Sequence, residues 1–299
     1  MLHYLPDDRV VEAPEGQTIL EASLAASIPT AHACGGHARC STCRVLILEG
    51  LENCSARTPE EETLARHLHF NCSTRLACQT RISGNIRLRR LVLDSEDLVL
   101  ASRSAQFPGE SSPGAEQSLA ILFADIAGFT AFSEPLLPYD VIHSLNRYYH
   151  HIGEIIARHH GTINNYAGDG LMALFGLQGE PEPTLDAVRA GLEMLETVTR
   201  LQPYFENLFH RSFTIRVGIH FGTVVVGNVG FGPNQQLTVI GDAVNFASRV
   251  EAANKKRGTH LLLSKAAYQE VKGQIEVRKL HAAKIPGKSG RHVLYEVIR

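Results

Sequence analysis

The chain has 299 residues, enough for two domains of ordinary size, and a formal net charge of −2 at pH 7. This small net charge argues against a protein that binds nucleic acid or an anionic membrane surface through bulk electrostatic attraction. The sequence also lacks an apolar run of about 18 residues and an N-terminal leader with basic and apolar regions. We therefore expect a cytoplasmic protein that binds neither nucleic acid nor a membrane.

The N-terminal part of the chain predicts short strands and helices. A Pro-Asp-Asp turn close to the N-terminus predicts a hairpin. Thr18 and Glu21 form a capping box, which predicts that a short helix begins there and ends before Pro29. The same pattern at Thr58–Glu61 predicts a second short helix, and residues 82–93 are expected to be extended.

All six cysteines lie between Cys34 and Cys78, and the first three follow the spacing C-x5-C-x2-C. In a reducing compartment such a cluster indicates metal ligands rather than disulfides. The first gap is one residue longer than in the C-x4-C-x2-C…C pattern of plant-type [2Fe–2S] proteins. A structural zinc ion is the alternative, because four cysteines suffice for it as well.

The long first gap and the phrase Arg75-Leu-Ala-Cys78-Gln79 resemble the adrenodoxin-like branch of the [2Fe–2S] ferredoxins. The resemblance implies a β-grasp domain over residues 1–97 with a [2Fe–2S] cluster as its cofactor. The ligands that it implies are Cys34, Cys40, Cys43 and Cys78. Cys72 is the competing fourth ligand, because its spacing from Cys43 suits the plant-type pattern. The Gly35-Gly36 pair is expected to let the loop wrap tightly and direct amide groups at sulfur, which tunes the reduction potential.

Residues 98–117 are small, polar and rich in proline and glycine, so we expect a linker there and a second domain over residues 118–299. That domain begins with an apolar run at 119–123 that predicts a buried strand. Apolar residues at helical spacing then predict a helix that ends at Gly161. These residues are Val141, Ile142, Leu145, Tyr149, Ile152 and Ile156.

The rest of the second domain mixes both element types. Residues 162–175 predict a hairpin with a tight turn at Gly168–Gly170. Helices are expected at about 184–201 and at 243–253, with a strand at 213–220 between them. This mixture predicts an α+β fold.

Two aspartates stand in short glycine-bearing phrases, Asp125 in Phe123–Thr130 and Asp169 in Tyr166–Met172. Two carboxylates beside such turns can hold divalent cations on a triphosphate whose oxygens bind to backbone amides. The two phrases therefore predict a site for a nucleotide and its metal ions.

Asn245 and Arg249 lie four residues apart on a predicted helix, so both side chains project from one face. Together with the two aspartate phrases, with residues 216–223 and with residues 287–295, they resemble the class III nucleotidyl cyclase catalytic domain. The resemblance covers about residues 118–299, and it implies a ferredoxin-like βαββαβ core.

The resemblance also implies roles for individual residues. The ligands of two Mg²⁺ or Mn²⁺ ions are Asp125, Asp169 and the Ile126 carbonyl oxygen. The amides that bind the β- and γ-phosphates belong to Gly128, Phe129 and Thr130. Asn245 orients the ribose, and Arg249 stabilises charge on the transition state. In this family the metal ligands come from one protomer and the Asn/Arg pair from the other, so a chain with both sets implies a homodimer with two shared active sites.

The position that reads the purine base departs from the family pattern. Adenylyl members have a lysine three residues before the Gly-Asp turn and guanylyl members a glutamate, whereas this chain has Asn165. An asparagine can donate and accept, so it does not enforce one purine edge. The partner position, Thr238, suits an adenylyl subgroup. Lys284 or Lys288 is expected to supply positive charge at the triphosphate, because the segment before Thr238 lacks the arginine that many homodimeric members have.

The function we infer from the sequence is an adenylate cyclase that converts ATP to cyclic AMP and pyrophosphate, regulated by an iron–sulfur domain that exchanges electrons with a redox partner. A guanylate cyclase of the same architecture is the runner-up. The third hypothesis is an electron-transfer ferredoxin with a non-catalytic, cyclase-like dimerisation module. An enzyme is favoured because all the residues that the resemblance assigns to metal binding and catalysis are present. They are Asp125, Asp169, Asn245 and Arg249.

Overall fold

The computed structural model describes residues 1–92, 114–230, 234–279 and 290–298. Two compact units are present, residues 1–115 with 227–236 and residues 116–226 with 237–299. Most of the predicted linker lies outside the described residues, as do Lys284 and Lys288. The domain limits at residues 97 and 118 therefore stay a prediction. Among the described residues, no helix combines the length and apolar composition needed to cross a bilayer.

The first unit contains a five-stranded sheet in the order β2-β1-β5-β3-β4. Its elements are β1 (Leu2–Leu5), β2 (Arg9–Val11), α1 (Ile19–Ala25), β3 (Arg44–Glu49), α2 (Pro59–His67), β4 (Thr74–Leu76) and β5 (Ile86–Arg90). Strands β1 and β2 form the predicted hairpin, and β1 runs parallel to β5. Buried Leu2, Ile19 and Leu88 join the sheet to α1 in one core. This arrangement confirms the β-grasp prediction.

The capping box predicted at Thr18 and Glu21 is confirmed. At Thr58 and Glu61 only the bond to the Thr58 side chain forms, so the prediction of a full capping box there is wrong. Thr18 Oγ1 accepts from the Glu21 amide at 3.2 Å, and the Glu21 carboxylate accepts from the Thr18 amide at 2.8 Å. Thr58 caps α2 in the same way, but the Glu61 side chain turns inward and is fully buried. It accepts two hydrogen bonds at 2.9 Å from the Arg75 guanidinium, because a buried carboxylate requires a charged partner. This pair joins α2 to the strand that precedes Cys78.

The second unit is built on an eight-stranded sheet, as far as the chain is described. Its first elements are β6 (Ala115–Ala127), α3 (Phe129–Ser133), α4 (Pro138–Arg158), β7 (Gly161–Ala167), β8 (Gly170–Phe175) and α5 (Pro183–Phe209). The others are β9 (Thr214–Val229), β10 (Gln236–Ile240), α6 (Asp242–Arg257), β11 (Leu261–Ser264), α7 (Lys265–Glu270), β12 (Val277–Lys279) and β13 (Leu294–Val297). The strand order is β12-β13-β11-β9-β6-β8-β7, with β10 paired to β9. The part β9-β6-β8-β7, with α4 and α5 as connections, is the predicted βαββαβ core.

Alternate residues of β6 pack on opposite faces of the sheet. Leu122 and Ala124 belong to a core with α4 and α5, whereas Leu119 and Ile121 pack with α6 residues such as Ala247. Helices therefore cover both faces, and Asp125 lies near the C-terminal end of β6, between the core residues Ala124 and Ile126.

The end of α4 and the length of α5 differ from the predictions. Helix α4 ends at Arg158, and Gly161 begins β7 instead of capping the helix. A Cβ atom on Gly161 would lie 2.5 Å from the Phe175 ring, so close packing requires glycine there. Helix α5 continues through Pro203 to Phe209 because Leu201 and Phe205, four residues apart, both stay in the core.

Candidate functional site

Asp125 and Asp169 lie side by side at one end of the core sheet. The pairing of β6 with β8 sets Asp125 opposite Gly170, so the turn between β7 and β8 places Asp169 next to it. The Asp125 side chain is 35% exposed. Burial and then the neighbouring Asp169 charge raise its pKa, against the opposing effect of Arg216. Two adjacent, solvent-accessible carboxylates that repel each other form a donor set that fits divalent cations.

The backbone after Asp125 provides the other predicted contacts. Ile126 is buried, and its carbonyl follows the aspartate directly. Gly128 is the N-cap of the short helix α3, with Gly128 and Thr130 exposed and Phe129 half-buried. The structure thus places these residues next to the carboxylate pair along the chain, and their contacts with phosphate stay a prediction.

Arg216 on β9 links Asp125 to a third acidic residue that the sequence reading did not select. Its Nη2 atom lies 3.3 Å from Asp125 Oδ2, and its Nε atom lies 3.6 Å from Glu251 Oε1. Arg216 and Glu251 are mostly buried, yet these two paired atoms have no hydrogen-bond partner among the described residues. Burial and then the Asp125 charge raise the pKa of Glu251 to about 7. The guanidinium is therefore held between two acidic groups without a fixed hydrogen bond to Glu251.

Asn245 and Arg249 lie on α6, and Asn245 is exposed while Arg249 is half-buried. The helix packs on the sheet through the other side, with Ala243, Ala247 and Val250 buried. Within the part of the chain that the structure describes, neither side chain hydrogen-bonds to or forms an ion pair with Asp125 or Asp169. The structure does not bring the predicted Asn/Arg pair onto the carboxylates of the same chain.

The two predicted base-reading residues lie on β7 and β10, two strands that are joined by a side-chain hydrogen bond. Asn165 is exposed beside a bulge in β7, and Thr238 is half-buried on β10. Next to them, the Asn164 Nδ2 atom donates to the Leu237 carbonyl oxygen at 2.6 Å. No local sequence pattern predicts this bond, because it joins strands more than 70 residues apart in the chain.

The cysteine loop of the first unit fits the chemistry of an iron–sulfur cluster. The Cys43 thiol donates to Cys78 Sγ at 3.5 Å, and this bond is the main cause that lowers the pKa of Cys78 to about 6. Burial opposes ionisation of Cys34, but backbone amides, first that of Arg39, outweigh it and lower its pKa. Cys72 is exposed, and its Sγ lies 3.9 Å from Ser73 Oγ. Thiols directed at one another and amides directed at sulfur are the environment that such a cluster requires.

Two family models match the chain. The model of the adenylate and guanylate cyclase catalytic domain matches residues 112–298, and that of the 2Fe-2S iron-sulfur cluster binding domain matches residues 2–83. The first unit therefore contains a [2Fe–2S] cluster-binding domain.

Similar proteins are named as cyclases. Adenylate cyclase 1 of Rhizobium meliloti is 35% identical over 183 residues, which cover 61% of this chain and 28% of the relative. Adenylate cyclase of Anabaena cylindrica is 33% identical over 194 residues, 63% of this chain and 38% of the relative. The chain thus spans well under half the length of these curated relatives.

The chain is similar to solved structures of both an adenylyl cyclase and a guanylyl cyclase. The adenylyl cyclase CyaB from P. aeruginosa has a TM-score of 0.58 and 29% identity, covering 62% of this chain and 95% of that one. The guanylyl cyclase Cya2 has the same TM-score and identity, covering 62% of this chain and 93% of that one. The similarity to these two structures covers about three fifths of this chain and does not discriminate between the two purines.

Proposed function

Because the chain belongs to the adenylate and guanylate cyclase catalytic domain family, we propose that it converts ATP to cyclic AMP and pyrophosphate. The observation that carries the proposal is the adjacent carboxylate pair of Asp125 and Asp169. Two Mg²⁺ or Mn²⁺ ions, when bound, lower the pKa of the ribose 3′-hydroxyl and neutralise charge on the triphosphate. Asp125, Asp169 and the Ile126 carbonyl oxygen would hold them, since these ions prefer oxygen ligands.

Arg216 has a role that follows from its position. In the free protein it offsets the charge of Asp125 at 3.3 Å. The guanidinium would also be available to the phosphate oxygens of the substrate, for which its planar donor set is suited. Glu251 keeps the Arg216 guanidinium near the site, because a mostly buried charge requires a charged partner.

We infer a homodimer with two shared active sites. Asn245 and Arg249 are accessible on α6, and neither pairs with the carboxylates of its own chain in the described structure. A second copy that presents its α6 to the Asp125–Asp169 pair would complete the site. The ribose hydroxyl would then bind to Asn245, and Arg249 would stabilise the charge that develops on the α-phosphate.

ATP is the proposed substrate because Thr238 and the two adenylate cyclase relatives favour it. Guanylate cyclase activity is the second candidate, since the Asn165 amide can pair with either purine edge and Cya2 is a guanylyl cyclase. We expect a modest preference for ATP, of about 1–3 kcal/mol, as for a weakly specifying pocket.

Asn165→Lys is expected to sharpen the preference for ATP. An ammonium group only donates, so it favours the acceptor nitrogens of adenine, while Thr238 contributes to rejection of the guanine amino group. The ratio of kcat/KM for ATP and GTP measures the change. Asn165→Gln, which retains an amide, is the matched control, and a shift toward GTP in the lysine variant would show that position 165 does not read the base as proposed.

The [2Fe–2S] domain is proposed to regulate the cyclase according to its redox state, with electrons supplied by a redox partner in the cytoplasm. Cys34, Cys40, Cys43 and Cys78 are the proposed ligands. The Cys43–Cys78 contact and the amides directed at Cys34 support this set over one that contains the exposed Cys72.

Cys78→Ser is expected to abolish the cluster, because a serine hydroxyl is a poor ligand for iron in a set that requires thiolates. Iron content and visible absorption of the purified protein measure the loss. Cys72→Ser is the matched control and is expected to retain both. Loss of the cluster in the Cys72 variant, with retention in the Cys78 variant, would reverse the choice of fourth ligand.

The proposed substrate is tested by incubating purified holo-protein with Mn²⁺ and each of the four nucleoside triphosphates, with products identified by mass spectrometry. Cyclic AMP as the main product supports the proposal. Cyclic GMP as the main product would establish the second candidate instead. The absence of any cyclic nucleotide, with an intact cluster, would favour an electron-transfer protein with a non-catalytic second domain.

A further inference from the structure

The Tyr149 hydroxyl lies beneath the turn that carries Asp169. Its oxygen donates to the Gly168 carbonyl oxygen at 2.8 Å, and the Gly170 carbonyl oxygen lies 3.2 Å away. These two carbonyls flank Asp169 on either side. A single side chain from α4 therefore contacts the backbone both before and after the aspartate.

The Tyr149 ring is held in place by its neighbours. It packs against Tyr166 at 4.5 Å between ring centroids, with the planes 64° apart, and against Tyr148 at 5.0 Å. The turn thus has a hydrogen-bond donor in a fixed position.

The turn joins Ala167 to Gly170, which pair with each other, and its own residues add little side-chain packing. Gly168 has a φ of +64°, and a Cβ atom placed there would meet nothing within 4 Å, so no side-chain packing holds this residue. Asp169 stands between two glycines, which are the residues with the greatest backbone freedom. The hydroxyl of Tyr149 restricts the conformations that this segment can sample.

We propose that Tyr149 is a positioning residue, which holds the Asp169 turn in the conformation that presents both carboxylates to a divalent cation. The inference rests on the proposed function, since it concerns the same site. Tyr149 would act through the Gly168 and Gly170 carbonyls that flank Asp169, without a bond to the carboxylate itself. Its removal is therefore expected to weaken cation binding more than it slows the chemical step.

The chain offers a closely matched control at the next residue. Tyr148 is fully buried, and its hydroxyl has no hydrogen-bond partner among the described residues. Tyr149→Phe and Tyr148→Phe each remove one hydroxyl and keep the ring. Only the first removes a bond to the Asp169 turn.

The test is a titration of Mn²⁺ alone into the holo-protein, with free Mn²⁺ measured by electron paramagnetic resonance. Tyr149→Phe is expected to raise the Kd for Mn²⁺ roughly 3- to 10-fold, the range for loss of one hydrogen bond, and Tyr148→Phe to leave it unchanged. In the cyclase assay, the Mn²⁺ concentration for half-maximal rate should rise by a similar factor. The kcat at saturating Mn²⁺ should stay within about twofold of wild type.

A Kd for Tyr149→Phe equal to that of wild type would overturn the proposal, and so would an equal loss in Tyr148→Phe. Failure of Tyr149→Phe to fold would overturn it as well, since the hydroxyl would then support the domain as a whole. If wild type makes no cyclic nucleotide while the Kd still rises in Tyr149→Phe alone, the proposed function fails and the positioning role stands.

Discussion

Asp125→Ala and Asp169→Ala are each expected to abolish metal-dependent formation of cyclic nucleotide. Either change removes one of two carboxylates that share a site, and the remaining one cannot hold two cations on a triphosphate. In Asp125→Ala, the Arg216 guanidinium also loses its partner at 3.3 Å and keeps only Glu251 as an acidic neighbour, which makes the site more positive where a cation should bind. Initial rates with Mn²⁺ and ATP measure the effect.

The loss must be specific to the site. The [2Fe–2S] absorption spectrum and the thermal unfolding of both variants should match those of wild type. Glu196→Ala is a suitable control, because Glu196 is an exposed carboxylate on α5 and its removal should leave the rate unchanged. Activity of Asp169→Ala within tenfold of wild type would show that this turn does not hold the metal.

Arg249→Ala is expected to reduce turnover about 10²- to 10³-fold, the range for loss of one donor that acts on transition-state charge. The KM for ATP should change much less, because the interaction is made mainly in the transition state. Steady-state kinetics with Mn²⁺ and ATP separate the two parameters. A higher KM with unchanged kcat would assign Arg249 to ground-state binding instead.

The same variant tests the shared site. Neither Asp125→Ala nor Arg249→Ala protein alone should be active, but a mixture forms heterodimers in which one site has an intact Asp125 and an intact Arg249. If two equally abundant chains assort at random, about half of the dimers are heterodimers, and each heterodimer has one intact site out of two. About a quarter of wild-type activity is therefore expected. Heterodimers that form and remain inactive would exclude a site built from two protomers.

Much of the site followed from local sequence. The hairpin around Gly168–Gly170 and the strand before Asp125 were readable from apolar runs and glycine positions, and their pairing alone brings the two aspartates together. The capping box at Thr18 and the spacing of the first three cysteines were equally local signals.

The parts that sequence reading missed depend on packing between distant elements. Tyr149 fitted the apolar face of a helix, and only the fold shows that its hydroxyl meets the turn at Gly168. Glu251 had no sequence signal, because its relation to Arg216 arises where α6 crosses β9. Glu61 was assigned to a local cap, but burial beside Arg75 outweighed that local bond.

The most direct test of the account is the product balance of wild-type holo-protein with Mn²⁺ and ATP, measured beside Asp169→Ala. We predict cyclic AMP and pyrophosphate in equal amounts from wild type, and neither from the variant. Conversion of ATP to ADP or AMP without a cyclic product, or equal turnover by the two proteins, would contradict the assignment of Asp125 and Asp169 as the metal site of a nucleotidyl cyclase.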